Sequence, residues 1–270
     1  MNPEMGYVNL DVWDLLLAAA LILLNAAISL GLSLGLGRTL ALSAVRMVVQ
    51  LALVGYVLGW IFTQSSPLWT VLAATVMIAV AAYEIRARQE RRLKGIGSYF
   101  LGLGTLLFVS TLITVYAVGT IIAPDPWYSP RYILPILGMI LGNTMTGIAL
   151  TLSTLSDATA RERNAIEARL ALGENRFTAM SDALRQAVRT GMLPVLNAMA
   201  ASGIVSLPGM MTGQILAGLE PVEAAKYQIM IMFTIAGATS LGIVIAGCAA
   251  VLLLTDERHR LRLDRLESKA

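Results

Sequence analysis

Seven stretches of this chain stay apolar for close to the length that crosses a bilayer: residues 15–36, 40–62, 67–83, 99–122, 132–152, 192–217 and 227–254. A hydrocarbon layer takes roughly 20 helical residues to span. It offers no water to open backbone groups, so such runs must close their hydrogen bonds within a helix. The expected fold class is all-α: a polytopic membrane protein of about seven transmembrane helices, read as one transmembrane domain over residues 1–270. The chain is 57% hydrophobic and 14% charged, against about 45–50% and about 25% in a soluble domain. Its first 37 residues hold no Lys or Arg but carry Glu4, Asp11 and Asp14. The first run therefore lacks the basic leader of a secretory signal and reads as a retained span.

Basic residues set the expected orientation. With the N-terminus outside and the C-terminus cytoplasmic, the inner side holds Arg38, Arg46 and the clusters in 84–98, 153–190 and 255–270. Only Arg131 and Lys226 fall outside, two of the 20 Lys and Arg. Trp13, Trp60, Trp69 and Trp127 then all lie at the outer interface. The same distribution turns a pI near 9.2 away from nucleic acid and toward a membrane surface. Cys248 is the single cysteine and His259 the single histidine, which leaves no internal disulfide and no zinc cluster. The expectation is no metal site and no cofactor bound by this chain.

The longest hydrophilic stretch, 153–190, places Ile166, Leu170, Phe177, Met180, Leu184 and Val188 at helical spacing, which gives one apolar face. Gly173 is a candidate stop between two helices. A helical hairpin here docks a partner protein at the cytoplasmic face, or packs its stripe on the spans. Residues 255–270 form a short cytoplasmic tail in which His259 is solvated.

Within the spans Arg46 is the only charge. Proton- or sodium-coupled carriers keep a carboxylate in the bilayer, and an intramembrane hydrolase needs a nucleophile with a base or paired carboxylates. Neither pattern is present, so the chain is not read as an enzyme. Arg46 and Gln50 stand one helical turn apart; Arg46 snorkels to the headgroups, or the pair faces an inner vestibule. Asn25, Asn143, Thr144, Asn197 and Gln214 either bond between helices or line a polar path. Gly31/Gly35, Gly55/Gly59, Gly138/Gly142 and Gly209/Gly213 have the spacing that lets helices approach closely, within the chain or in a homodimer.

SLPGMMTGQILAG, residues 206–218, breaks a membrane-length run with Pro208-Gly209. Proline removes a donor and clashes with the preceding turn, and the freed carbonyl is tolerated only against protein or a cavity. The segment reads as a kinked helix in the outer half of the membrane. Either it is a gate, with Pro208 and Gly209 as hinge and Met210, Met211, Gly213 and Gln214 as lining, or it is a structural kink filled by methionines. Glu220 and Glu223 mark a helix start at Pro221 or meet an exiting cation.

EARLALG at 167–173 resembles the coupling loop of ABC transporter permeases. NAAISLGLSLGLGR at 25–38, RMVVQLALVGYVL at 46–58, GMILGNTMTGIAL at 138–150 and SLPGMMTGQILAG are together similar to a FetB-like permease family. That family includes bacterial iron-export permeases and plant aluminium-tolerance permeases of the STAR and ALS type. The resemblance implies a multi-pass cell-membrane (inner or plasma membrane) subunit exporting iron, homodimeric, with an ABC ATPase subunit that uses ATP in trans. It implies ATPase coupling through Glu167, Ala168, Leu172 and Gly173. A non-metal substrate such as a nucleotide sugar is the alternative within the family. A membrane scaffold or receptor-like protein is the alternative outside it. No G-x-x-x-x-G-K-[ST] occurs in the chain, so it has no phosphate-cradling loop of its own.

Overall fold

The computed structural model describes residues 11–64, 66–89, 91–95, 97–256 and 258–268. Glu4 and Lys269, which enter the charge pattern, lie outside the described residues. The chain divides into two compact units. One holds the chain up to Ser66 with Gly213–Leu219; the other holds Pro67–Thr212 and Glu220–Ala270.

The first unit is a helical hairpin of α1 (Val12–Gly31) and α2 (Gly37–Gln64). Asp11 and Asp14 start α1 with a capping box: the Asp11 backbone N–H donates to Asp14 Oδ2 at 2.8 Å, which satisfies donors that a helix start leaves open. The turn between the helices closes when the Leu36 N–H donates to Ser29 Oγ at 3.0 Å.

The second unit contains α3 (Pro67–Arg88), α4 (Gly97–Tyr116), α5 (Pro130–Arg161), α6 (Arg163–Ala171), α7 (Arg176–Ala179), α8 (Ser181–Ala201) and α10 (Pro221–Leu253). The short α9 (Gly209–Leu216) begins in it and ends in the first. Pro67, Pro130 and Pro221 each open a helix, where a missing N–H costs nothing. Six helices among the described residues are long and apolar enough to cross a membrane: α1, α2, α3, α4 with its continuation, α5 and α10. The protein is an all-α multi-pass membrane protein.

α5 packs against α3, α4, α8 and α10. One apolar cluster contains Ile85, Leu106, Ile148, Leu155, Met180 and Leu254; a second contains Val109, Ile140, Val195 and Ile231. The helices meet through glycines outside the expected pairs. A β-carbon on Gly242 would lie 2.7 Å from Thr144 Cγ2, one on Gly147 2.8 Å from Ile243 Cδ1, and one on Gly247 2.9 Å from Leu184 Cδ1. These contacts make α5 and α10 parallel and set α8 antiparallel to both. By contrast, β-carbons at Gly31, Gly35, Gly55, Gly59, Gly142, Gly209 and Gly213 would meet nothing within 4 Å. Most of the expected close-approach pairs are thus not used for packing within either unit.

Three features differ from the linear reading. α4 runs on as a π-helix over Ala117–Ile122, ending at left-handed Ala123. Pro135 and Pro194 sit inside α5 and α8 without ending them. The tail is folded: β2 (Leu266–Ser268) pairs antiparallel with β1 (Arg91–Leu93), setting Arg92 opposite Glu267. Their side chains meet at 2.8 Å.

Candidate coupling segment and gate

The segment after α5 folds from local signals. α6 ends at Ala171, and Gly173 takes φ +95°, a left-handed conformation that glycine adopts without a side-chain penalty. The N–H groups of Gly173 and Glu174 donate to the Leu170 and Arg169 carbonyls, each at 3.1 Å, closing the helix end. Asn175 then caps α7, its Oδ1 accepting from the Thr178 N–H at 3.0 Å. Arg169 of α6 ties the turn and α8 together through Glu174 at 2.8 Å and Asp182 at 3.2 Å. The expected hairpin is therefore built from the C-terminal extension of α5, then α6, α7 and the first half of α8.

Its apolar stripe is largely spent on the fold. Ile166 and Met180 are buried in the first cluster with Ala179, Ala183 and Ala187, and Leu170 and Leu184 pack against it. Phe177 faces outward, and Leu172 is 86% exposed at the turn. Ala168 is exposed as well. Glu167 pairs with Arg163 along α6 at 2.9 Å. Leu172 thus stands as an exposed apolar knob on a turn held by Gly173 and the Arg169 ion pairs.

The stretch 192–217, expected as one kinked span, is two helices. α8 ends at Ala201, upstream of Pro208, and Ser202 Oγ donates back to the Ala198 carbonyl at 2.7 Å. A loop follows in which Gly203 has φ +87° and its N–H donates to the Ser206 carbonyl at 2.9 Å. Ile204 and Val205 at its tip are 91% and 82% exposed. Pro208 precedes α9, which opens at Gly209, and the Thr212 hydroxyl donates to the Pro208 carbonyl at 3.2 Å. Pro208-Gly209 thus begins a short helix and does not kink a long one: the left-handed Gly203 turn has already broken the chain. Met210 packs against the second cluster. Met211, Gly213 and Gln214 are half-buried, and Gln214 Oε1 is buried with no hydrogen-bond partner.

The other candidates are dispersed. Asn143 is exposed on α5 and donates to its own helix at the Met139 carbonyl, at 2.8 Å. Asn197 is exposed on α8. Among the described residues no hydrogen bond joins Asn143, Asn197 and Gln214. Arg46 and Gln50 are exposed one turn apart on α2. Thr144 does bond between helices, its hydroxyl lying 3.4 Å from that of Thr239. Glu220 holds the N-cap position of α10 without a side-chain bond, and Glu223 pairs with Lys226 at 2.6 Å. No group of three His, Cys, Asp or Glu side chains is assembled among the described residues.

Sequence reasoning missed Arg169 as the residue that holds the Gly173 turn: its acidic partners lie five and thirteen residues further on, spacings that no helical periodicity marks.

Comparison with known proteins adds the family. The model of an uncharacterised protein family, UPF0014, matches residues 12–253. A UPF0014 membrane protein of Synechocystis sp. is 41% identical over 192 residues, covering 70% of this chain and 73% of its own. The Escherichia coli protein named "Probable iron export permease protein FetB" is 32% identical over 261 residues, 97% of this chain and 98% of its own. The Arabidopsis thaliana protein ALUMINUM SENSITIVE 3 is 35% identical over 227 residues, 83% of this chain and 80% of its own. No solved structure matches.

Proposed function

Because the chain belongs to the UPF0014 family of membrane proteins, we propose that it is the permease subunit of an ABC transporter that exports iron. ATP is hydrolysed by a separate subunit, and two copies of this chain pair with two ATPase subunits. The observation that carries this reading is the exposed Leu172 knob on the Gly173 turn, in a chain that matches a named iron export permease along 97% of its length. In this reading Leu172, Ala168 and Glu167 seat in the ATPase, and Arg169 passes the motion from α6 to α8.

α5 and α10 are parallel, so the chain between them must return, and α8 runs in the returning direction. We place the seventh crossing there, with an interrupted helix at 202–208 as the gate and the N-terminus outside. Interrupted helices free backbone groups and permit hinge motion where a pathway passes. Asn143 and Asn197 belong to that path, and Arg46 with Gln50 to an inner vestibule.

The test is gentle purification of the tagged chain from membranes, followed by a search for a bound ATPase. Recovery of an ATPase that is lost with Gly173→Arg supports the assignment. A folded chain that purifies without any nucleotide-binding partner removes it. Iron efflux from cells expressing both subunits then separates iron from a non-metal substrate.

A further inference from the structure

The chain beyond α10 builds a cationic cleft that the transport reading does not use. A bridge between Thr255 and Leu261 closes a tight loop. Inside it Asp256 Oδ1 accepts the N–H groups of Arg258 and Arg260 at 3.0 and 2.8 Å, and Oδ2 accepts Arg260 Nε at 2.8 Å. That carboxylate is consumed in shaping the loop. Arg265 donates Nη1 to the Leu253 carbonyl at 2.7 Å, one of the acceptors a helix C-terminus leaves open. Its own carbonyl accepts the Lys94 N–H at 2.7 Å, so the β1–β2 pairing fixes it in place.

Arg258, Arg260 and Arg265 of the tail and Arg176 of α7 thereby line one cleft with Asp256 and Leu252. Among the described residues four guanidinium groups and one carboxylate line it. Arg176 and Arg258 have no ion-pair partner among the described residues. Guanidinium forks match the several acceptor oxygens of a phosphate group better than any neutral ligand. Leu252 lies in the last turn of a membrane-length helix, so the cleft opens at the end of a candidate span.

We infer that this cleft binds a phosphate-bearing anion, which joins the tail to α7 of the coupling segment. The phosphate comes from an anionic lipid headgroup or from a soluble phosphate compound. The inference does not depend on an ATPase partner, since binding is read on this chain alone.

The experiment uses the full-length protein in detergent. Native mass spectrometry measures binding of phosphatidylglycerol against phosphatidylcholine, and calorimetry measures binding of inorganic phosphate. Arg176→Gln/Arg258→Gln is compared with Arg185→Gln/Arg189→Gln, which removes the same charge from the face of α8 outside the cleft. Neither pair makes a contact that shapes the tail, and matching melting temperatures confirm folding. The first variant is expected to lose about tenfold in affinity, the weight of a charge-assisted hydrogen bond, and the second to lose none. Selective loss of phosphatidylglycerol identifies a lipid source, and selective loss of inorganic phosphate a soluble one. Equal loss in both variants shows diffuse surface charge and overturns the site. So does wild-type protein that prefers neither probe.

Discussion

Gly191 of α8 lies so close to Thr151 of α5 that a β-carbon at 191 would overlap the threonine hydroxyl and stand 2.8 Å from the Gly147 carbonyl oxygen. The Thr151 hydroxyl already donates to that carbonyl at 2.9 Å, so neither group can turn aside cheaply. Gly191→Ala is therefore expected to destabilise the protein by about 1–3 kcal/mol through overpacking. Gly142→Ala, where the new methyl meets nothing within 4 Å, should stay within about 1 kcal/mol of wild type. Thermal unfolding of the two variants checks the difference; equal melting temperatures would place α8 elsewhere.

Leu172 is exposed at the Gly173 turn, so its removal leaves the core untouched. Leu172→Asp should lower permease-stimulated ATP hydrolysis by about tenfold or more, as loss of an interface anchor does, with the melting temperature unchanged. Full stimulation in the variant would move the ATPase contact off this turn.

Gln214 carries a buried amide oxygen with no partner, an arrangement that costs about 1–3 kcal/mol. Gln214→Leu is expected to raise or preserve thermal stability while lowering transport. A more stable variant with normal efflux would make Gln214 a packing residue only.

Pro208 and Gly209 start α9 after the loop at 202–208. Replacing both with alanine favours extension of helix across the interruption. Efflux should fall while the ATPase still co-purifies, because the coupling turn is separate in sequence. Unimpaired efflux would leave the interruption without a gating role.

Asp256 is held below the ordinary carboxylate range, first by the Arg260 backbone N–H and then by its side chain, with desolvation opposing them. A depressed folded-state value means that the carboxylate stabilises the loop above the unfolded value of 3.8 and loses that effect as pH falls through the folded one. Corrected for the pH dependence of intrinsic exchange, amides of peptides covering 254–268 should therefore be protected at neutral pH and lose that protection below about pH 4. Asp256→Asn should exchange fast at neutral pH and lose the pH dependence. A wild-type profile in the variant would assign the loop's order to the β1–β2 pairing alone.

Much of this protein is written in neighbouring residues. Runs of apolar residues specify the long helices because a bilayer leaves the backbone no other partner. Pro67 and Pro221 mark helix starts, and Gly173 marks a turn, through backbone preferences that act within a few residues. The turn at Gly173 was legible for the same reason.

What the tertiary structure decided depends on partners far apart in the chain. Most of the glycines with obvious spacing are open, whereas Gly147, Gly191 and Gly242 are closed because of which helix faces meet. Pro194 stays inside α8, while the helix ends at Ala201 without a proline there, since packing overrides a local breaker in one place and withdraws support in another. The tail reads as solvated charge until Glu267 meets Arg92, 175 residues away. No local rule contains that pairing. It exists because folding brings the end of α3 and the end of α10 to the same side of one packed unit.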